Sequence, residues 1–375
     1  VAIEQIDIEM FLELSKEYPV FDVRSPAEYS HAHIPGAFTL PLFTDDQRSV
    51  IGTAYKHQSR QNAVKIGLDH FSERMKLILP EVEEYYKLFL ESKNIEDLQS
   101  NKNTVLIHCW RGGMRSGAVA WLLNLFGFKV FTLKGGYKSF RKWVHVQFEK
   151  EYEINILGGF TGSGKTVSLE EMKNRGHKVI NLEKLSNHKG SAFGSLGEAA
   201  QPGQEMFENL LAIELFKIAK KGDNKPTNGE HYPQNTNSKV WLEDESRHIG
   251  TIGIPNAFWH QMRGSPVFFF DIPFEERLKF IVANYGLFKK EELVKAIEKI
   301  QKRLGGLETK NAIKFLTENN LAESFRILLH YYDKWYLKSL YNRENIELLL
   351  NKIPCPTVDI SNVERLTLKM SDLFT

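Results

Sequence analysis

The chain has 375 residues, 42% of them hydrophobic and 26% charged, and a formal net charge of +2. That length accommodates two or three domains with separate cores, and the balance is that of an ordinary globular protein. No run approaches the roughly 18 apolar residues of a membrane span, no signal-peptide pattern opens the chain, and the near-neutral charge confines any basic surface to a local patch.

Two cysteines, Cys109 and Cys355, make neither a disulfide framework nor a zinc spacing, which points to a reducing, cytoplasmic setting. Residues 1–18 read as an amphipathic helix started by Asp7, with Met10, Phe11 and Leu14 on one face. Val20-Phe21-Asp22-Val23 reads as a strand, followed by Arg24-Ser25-Pro26-Ala27-Glu28-Tyr29 and His31-Ala32-His33-Ile34-Pro35-Gly36-Ala37. Residues 45–100 carry helical periodicity, over 72–79 and 81–91 among other stretches, and read as a helical insertion capping the loop that comes next.

That loop is Cys109-Trp110-Arg111-Gly112-Gly113-Met114-Arg115-Ser116. Before it, Thr104-Val105-Leu106-Ile107 is a short β-branched run that reads as a buried parallel strand; after it, a helix is expected to open at Ser116. Strand, glycine loop and helix N-terminus together make an anion cradle, with Gly112, Gly113 and Met114 supplying amides and Arg111 and Arg115 supplying charge. The same field lowers the pKa of a thiol at the head of the loop and makes Cys109 a nucleophile. A lone cysteine is ordinarily a buried structural one; two glycines and two arginines beside this one favour the reactive reading.

Asp-Val-Arg-x-Pro-x-Glu-Tyr from Asp22, then His-Ile-Pro-Gly-Ala from His33, then Val130-Phe131-Thr132-Leu133-Lys134-Gly135-Gly136, resemble the motifs of rhodanese domains in their usual order. The resemblance implies a structural role for Asp22 and Arg24. Five residues separate Cys109 from Arg115, a spacing also similar to that of cysteine-dependent phosphatases. Such a loop is roomy enough for a tetrahedral oxyanion and favours a phosphate-bearing donor over thiosulfate.

Residues 137–152 read as a linking helix carrying Lys138, Arg141 and Lys142, between a domain at 1–136 and another at 153–375. The second opens on Ile154-Asn155-Ile156-Leu157 and continues Gly158-Gly159-Phe160-Thr161-Gly162-Ser163-Gly164-Lys165-Thr166, which fits G-x-x-x-x-G-K-[ST] with a strand before and a helix after. The amides from Gly159 to Gly164 would wrap a diphosphate, Lys165 would neutralise it, and Thr166 would hold Mg²⁺. Later strands are expected at 178–181, 239–242, 266–270 and 357–360, giving a doubly wound sheet. Glu243-Asp244-Glu245-Ser246 ends one of them, where Asp244 is the carboxylate assigned to the metal. No Asn-Lys-x-Asp occurs, which argues against a GTPase. Residues 222–238 read as a flexible polar loop and 274–345 as a helical subdomain rich in lysine and arginine. The fold class expected is therefore α/β: a rhodanese-like parallel-sheet domain, then a P-loop NTPase-like doubly wound domain with a helical insertion.

A rhodanese domain joined to a P-loop domain resembles the tRNA 2-selenouridine synthase family. Further shared stretches are Gly52-Thr53-Ala54-Tyr55-Lys56, Lys134-Gly135-Gly136-Tyr137, His188-Lys189-Gly190-Ser191-Ala192-Phe193-Gly194 and Glu243-Asp244-Glu245-Ser246-Arg247. Lys189 departs from the arginine usual there, which keeps the charge and loses the bidentate fork. The resemblance implies exchange of sulfur for selenium in wobble 2-thiouridine of tRNA, with geranyl diphosphate as activating donor and selenophosphate as selenium donor. It implies Cys109 as a perselenide carrier, or as an assistant while selenophosphate attacks C2 directly. The expected partners are the tRNA anticodon arm and the enzyme producing selenophosphate, with no membrane. Lys138, Arg141, His188, Lys189, Arg247 and Arg303 are the candidate RNA contacts. The rival readings are a P-loop kinase or ATPase with a sulfur-handling rhodanese module, a phosphatase built on the Cys109 loop, and a non-catalytic tRNA- or nucleotide-binding protein.

Overall fold

Short β-branched and aromatic runs at Ile3–Ile6 (β1), Val20–Asp22 (β2), Phe38–Thr39 (β3), Thr104–His108 (β4) and Lys129–Leu133 (β5) pair into one parallel sheet, ordered β1-β5-β4-β2-β3. The computed structural model describes residues 3–93, 103–221 and 239–374. It divides into two units, 1–147 and 148–375, so the expected linking helix, observed at Gly136–Glu149, belongs mostly to the first. Residues 222–238, and 94–100 of the expected insertion, lie outside the described residues.

The expected N-terminal helix is shorter than its periodicity implies. Ile3–Ile6 pairs with Val130–Leu133, and only then does Asp7 cap a helix over Ile8–Leu14 by accepting from the Met10 amide at 2.9 Å. Phe11 and Leu12 face inward and Met10 faces out, because the strand resets where the helical face begins. The insertion forms helices Asp45–His57 and Arg60–Ser92, the second running unbroken past Pro80 where the periodicity implies two segments. Its Phe71, Ile78 and Val82 join Phe21, Val105, Ile107, Val119, Leu123 and Val130 in one core. Each such side chain, fully buried, contributes roughly 1.5–3 kcal/mol, so the insertion is part of this unit's core beyond any capping role. On the opposite face of β4, His108 lies against Phe11 and Tyr137.

The second unit holds Ile154–Gly159 (β6), Lys178–Val179 (β7), Val240–Glu243 (β8), the hairpin His248–Ile249 (β9) and Ile252–Gly253 (β10), Val267–Asp271 (β11) and Leu350–Pro354 (β12). Its main sheet is parallel in the order β12-β11-β6-β8-β7, so the P-loop follows the central strand. The last strand is Leu350–Pro354 and not 357–360: its register runs from Leu350 opposite Val267 to Pro354 opposite Asp271, and Thr357–Ile360 turns beyond the sheet edge. Leu157, Trp241, Phe268 and Phe270 meet the helices Lys165–Asn174 and Asn362–Phe374 in one core. A second core lies within the helices from Phe274 to Leu340, where Leu278, Ile281, Leu293, Leu316, Phe325 and Leu328 also take in Phe193. Among the described residues, no helix is long and apolar enough to cross a membrane.

Candidate active site

β4 delivers Cys109 to the point where the chain turns into the helix Met114–Leu125, capped by Gly113 and so opening two residues before the expected Ser116. The earlier start puts Ser116 in the first turn, its Oγ 3.2 Å from the Cys109 sulfur, while the Gly113 amide donates to that sulfur at 3.4 Å. Burial pushes the Cys109 thiol up, but hydrogen bonds from the Ser116 hydroxyl and from the Gly113, Ser116 and Arg111 amides outweigh it and hold the thiol below its ordinary value. The loop is braced from behind. Tyr137 donates its amide to the Cys109 carbonyl at 2.8 Å and Lys138 to the Trp110 carbonyl at 2.9 Å. Gly136 has φ +59, and a Cβ there would lie 2.3 Å from the Cys109 carbonyl oxygen, so only glycine permits this approach.

The two arginines part company. Arg111 is exposed and makes no ion pair among the described residues, free to meet an anion. Arg115 is committed to Glu28 at 2.7 Å, the same carboxylate that completes the capping box of the helix Pro26–His31. The expected anion ligand is therefore engaged elsewhere in this structure: a carboxylate 87 residues away holds it. Met114 is exposed at the first helical position. Asp22 and Arg24 form a fully buried ion pair at 2.6 Å; Arg24 also donates to the Ala32 carbonyl at 2.7 Å and lies 3.8 Å over the Tyr137 ring. This is the structural role the motif implied.

A Ser116→Ala variant tests the thiolate assignment. Losing that hydroxyl raises the Cys109 pKa, and since the thiolate forms as pH rises through the folded value, alkylation by iodoacetamide should shift to higher pH and slow several-fold at neutral pH. Burial pushes the thiol of Cys355 up to about 11, so the reagent reports Cys109.

The second loop follows β6. Gly159 has φ +152, and a Cβ there would meet the Ser163 oxygen at 2.4 Å, so the turn closes only on glycine. Gly162 and Gly164 also have positive φ, and Gly164 caps the helix Lys165–Asn174, leaving its first amides turned to the loop beside Thr161 and Ser163. Lys165 lies across the loop, its ammonium donating to the Gly159 carbonyl at 2.8 Å. Thr166 donates to Glu183 at 2.8 Å, and the Glu183 amide donates to Glu243 at 2.7 Å. Burial pushes the Glu243 carboxyl up to about 8, with the Glu183 charge adding to it, and its second oxygen has no hydrogen-bond partner among the described residues.

Asp244 is a correction. One of its oxygens accepts from Arg343 and the other from the Tyr336 hydroxyl at 2.7 Å, and that hydroxyl also accepts from the Gly159 amide at 3.1 Å. Successive residues leave a strand on opposite sides, so Glu243 and not Asp244 sits on the Thr166 side. Sequence reasoning missed Ser116, Glu28, Glu183, Tyr336 and Arg343; only Ser116, in the first turn of the loop's own helix, left a local signal.

Of the candidate RNA contacts, His188, Arg247 and Arg303 line one cavity together with Lys299. Lys189 does not join them, since its ammonium pairs with Glu198 at 2.9 Å. Lys138 and Arg141 belong to the first unit, and Arg141 lies 3.3 Å from His145.

A model described as the tRNA 2-selenouridine synthase AAA domain matches residues 152–351, and one for the rhodanese-like domain matches residues 8–142. The tRNA 2-selenouridine synthase of Bdellovibrio bacteriovorus is 32% identical, with 87% of this chain and 89% of that protein covered. The one from a Sulfurovum species is 31% identical, covering 85% and 87%, and the one from Nitrosomonas europaea 29%, covering 87% and 90%. With both domains matched in order and that identity sustained along the chain, the protein belongs to the tRNA 2-selenouridine synthase family.

Proposed function

We propose that this chain is a tRNA-modifying enzyme that exchanges sulfur for selenium in wobble 2-thiouridine, using geranyl diphosphate to activate the sulfur and selenophosphate to supply selenium. The observation that carries this reading is the pair of anion-binding loops, each between a parallel strand and a helix, of which one is headed by an activated thiol and the other by a lysine.

At the loop Gly159–Thr166, the thiocarbonyl sulfur attacks the allylic carbon of geranyl diphosphate. A carbon–sulfur bond forms, the carbon–oxygen bond breaks, and diphosphate leaves with the electron pair; Lys165 and the loop amides stabilise its charge. The donors beside this loop (the Thr166 hydroxyl, Glu183 and the unpartnered oxygen of Glu243) are all oxygen, which fits a hard cation such as Mg²⁺. Bound there, the ion would neutralise diphosphate charge.

At the Cys109 loop, selenium of selenophosphate adds to C2 and geranylthiol departs, leaving a selenium–phosphorus bond. Electron count then decides what Cys109 does. Attack of the thiolate on selenium would expel phosphorus with the bonding pair, as phosphite, and release of phosphate would require an oxidant. Attack on phosphorus balances: a sulfur–phosphorus bond forms, selenium keeps the pair as 2-selenouridine, and water returns phosphate and the free thiol. The perselenide therefore gives way to a thiolate acting at phosphorus.

Nucleoside mass spectrometry with the donors added singly tests the reading. Geranyl diphosphate alone should yield the S-geranyl nucleoside, and selenophosphate should convert it to 2-selenouridine. Titration calorimetry should show geranyl diphosphate binding at least tenfold tighter than ATP. Tighter ATP binding, with phosphate released and no alkylated nucleoside, would replace this reading with a P-loop ATPase.

A further inference from the structure

The second unit contains a cavity of about 650 Å³ whose walls include His188, Gly190, Ser191, Arg247, Lys299 and Arg303. One side is the β9–β10 hairpin, pinned by Gln201, which donates to the Ile249 carbonyl at 3.0 Å and accepts from the Thr251 amide at 3.0 Å. Another side is the loop from His188, anchored by Phe193 in the helical core. The third comes from the helices Lys290–Lys299 and Gln301–Leu304.

Three cations converge on this space, and among the described residues none has a carboxylate partner. Arg303 meets the Tyr331 hydroxyl. The nearby acids are Glu198, neutralised by Lys189, Glu183, engaged with Thr166, and Glu245, whose carboxyl lies against Gly190 and is pushed well above its ordinary value by burial and by the neighbouring Glu183 and Glu243. Like charges gathered on a concave wall focus a positive potential, and an anion relieves their repulsion. His188 is buried, and among the described residues its Nδ1 has no hydrogen-bond partner. The cavity falls within the range of about 300–1,000 Å³ typical of ligand sites and exceeds what a lone phosphate fills. It is also distinct from the P-loop, whose own lysine and amides already make a phosphate site.

We infer that this cavity receives one nucleotide turned out of the tRNA substrate, with its phosphates at Arg247, Lys299 and Arg303 and its base inward against His188. The inference rests on the tRNA-modifying reading. A free diphosphate offers the same phosphate chemistry, and the test separates the two sources.

Fluorescence anisotropy of an anticodon stem–loop RNA is measured with the full chain and with Arg247→Ala/Arg303→Ala. The double variant should bind at least tenfold more weakly, and the slope of log K against log salt should flatten by about 1.4, roughly 0.7 for each phosphate no longer neutralised. An abasic wobble position should weaken binding to the wild type and have no further effect in His188→Gln. Thermal melting confirms that the variants fold. RNA affinity and salt slope unchanged in the double variant would overturn the inference. So would loss of inorganic pyrophosphate binding with RNA binding intact, which would make the cavity a small-anion site. A wild-type chain that fails to bind the RNA at all would instead remove the tRNA reading beneath it.

Discussion

Cys109→Ser is expected to slow formation of 2-selenouridine by about a hundredfold or more while S-geranylation proceeds at the wild-type rate. The substitution removes one atom type and little else. A serine hydroxyl fits where the buried sulfur sits and can still meet Ser116 and the Gly113 amide. It does not ionise near neutral pH under donors that suffice to lower a thiol, so the loop keeps its shape and loses its nucleophile. Alkylation uses Lys165 and the glycine loop after β6, which belong to the second unit, whereas Cys109 belongs to the first. Nucleoside mass spectrometry of one time course reads both products. In the variant the S-geranyl nucleoside, or the adduct still carrying phosphorus on selenium, should accumulate. Equal losses of both products would mean that Cys109 serves the fold alone, and selenium exchange at the wild-type rate would remove it from the chemistry.

The contrast between these two loops explains what a single sequence discloses. Both are local: a β-branched strand, a glycine turn and a helix start are contiguous, so spacing alone locates Cys109 and the stretch from Gly159 to Thr166. What fails is pairing across distance. Arg115 reads as an anion ligand from its place in the loop, yet Glu28, distant in sequence, claims it. Asp244 reads as a metal ligand from an acidic strand end, yet Tyr336 and Arg343, about a hundred residues on, turn it away and leave Glu243 on the Thr166 side. Thr357–Ile360 carries strand-like residues, but register against β11 is satisfied by Leu350–Pro354. The N-terminal segment shows the same override: Ile3–Ile6 has a free edge of β5 to pair with, and that edge is invisible in a helical periodicity. His188 and Arg247 stand in two separate shared stretches and Arg303 in the basic helical subdomain; only the fold supplies Lys299 and the cavity that unites them.

Arg24→Ala should destabilise the first unit by about 3–5 kcal/mol, the range for breaking one side of a buried ion pair. Both partners are fully buried, and Arg24 supplies Asp22 with a backbone donor, a side-chain fork and a counter-charge at once. Burial opposes ionisation of Asp22, but the neighbouring His108 and Arg24 overcome it and hold the carboxyl below its ordinary value, so its contribution persists at neutral pH and is lost as pH falls through the folded pKa. Alanine strands that carboxylate beside His108, whose own pKa is pushed down to about 4 by burial, so the imidazole is neutral at pH 7 and offers no replacement charge. The damage reaches the active loop, because Arg24 stacks on Tyr137, and Tyr137 donates its amide to the Cys109 carbonyl. Chemical denaturation followed by tryptophan fluorescence, to which Trp110, Trp121 and Trp143 contribute from the first unit, should therefore show an earlier transition of that unit, with faster alkylation of Cys109 below it as the loop opens. Asp22→Asn/Arg24→Leu should recover part of the loss, because it removes the stranded charge along with its partner. If Arg24→Ala unfolds at the wild-type midpoint, water must reach Asp22, and the pair cannot be the brace that holds the Cys109 loop in place.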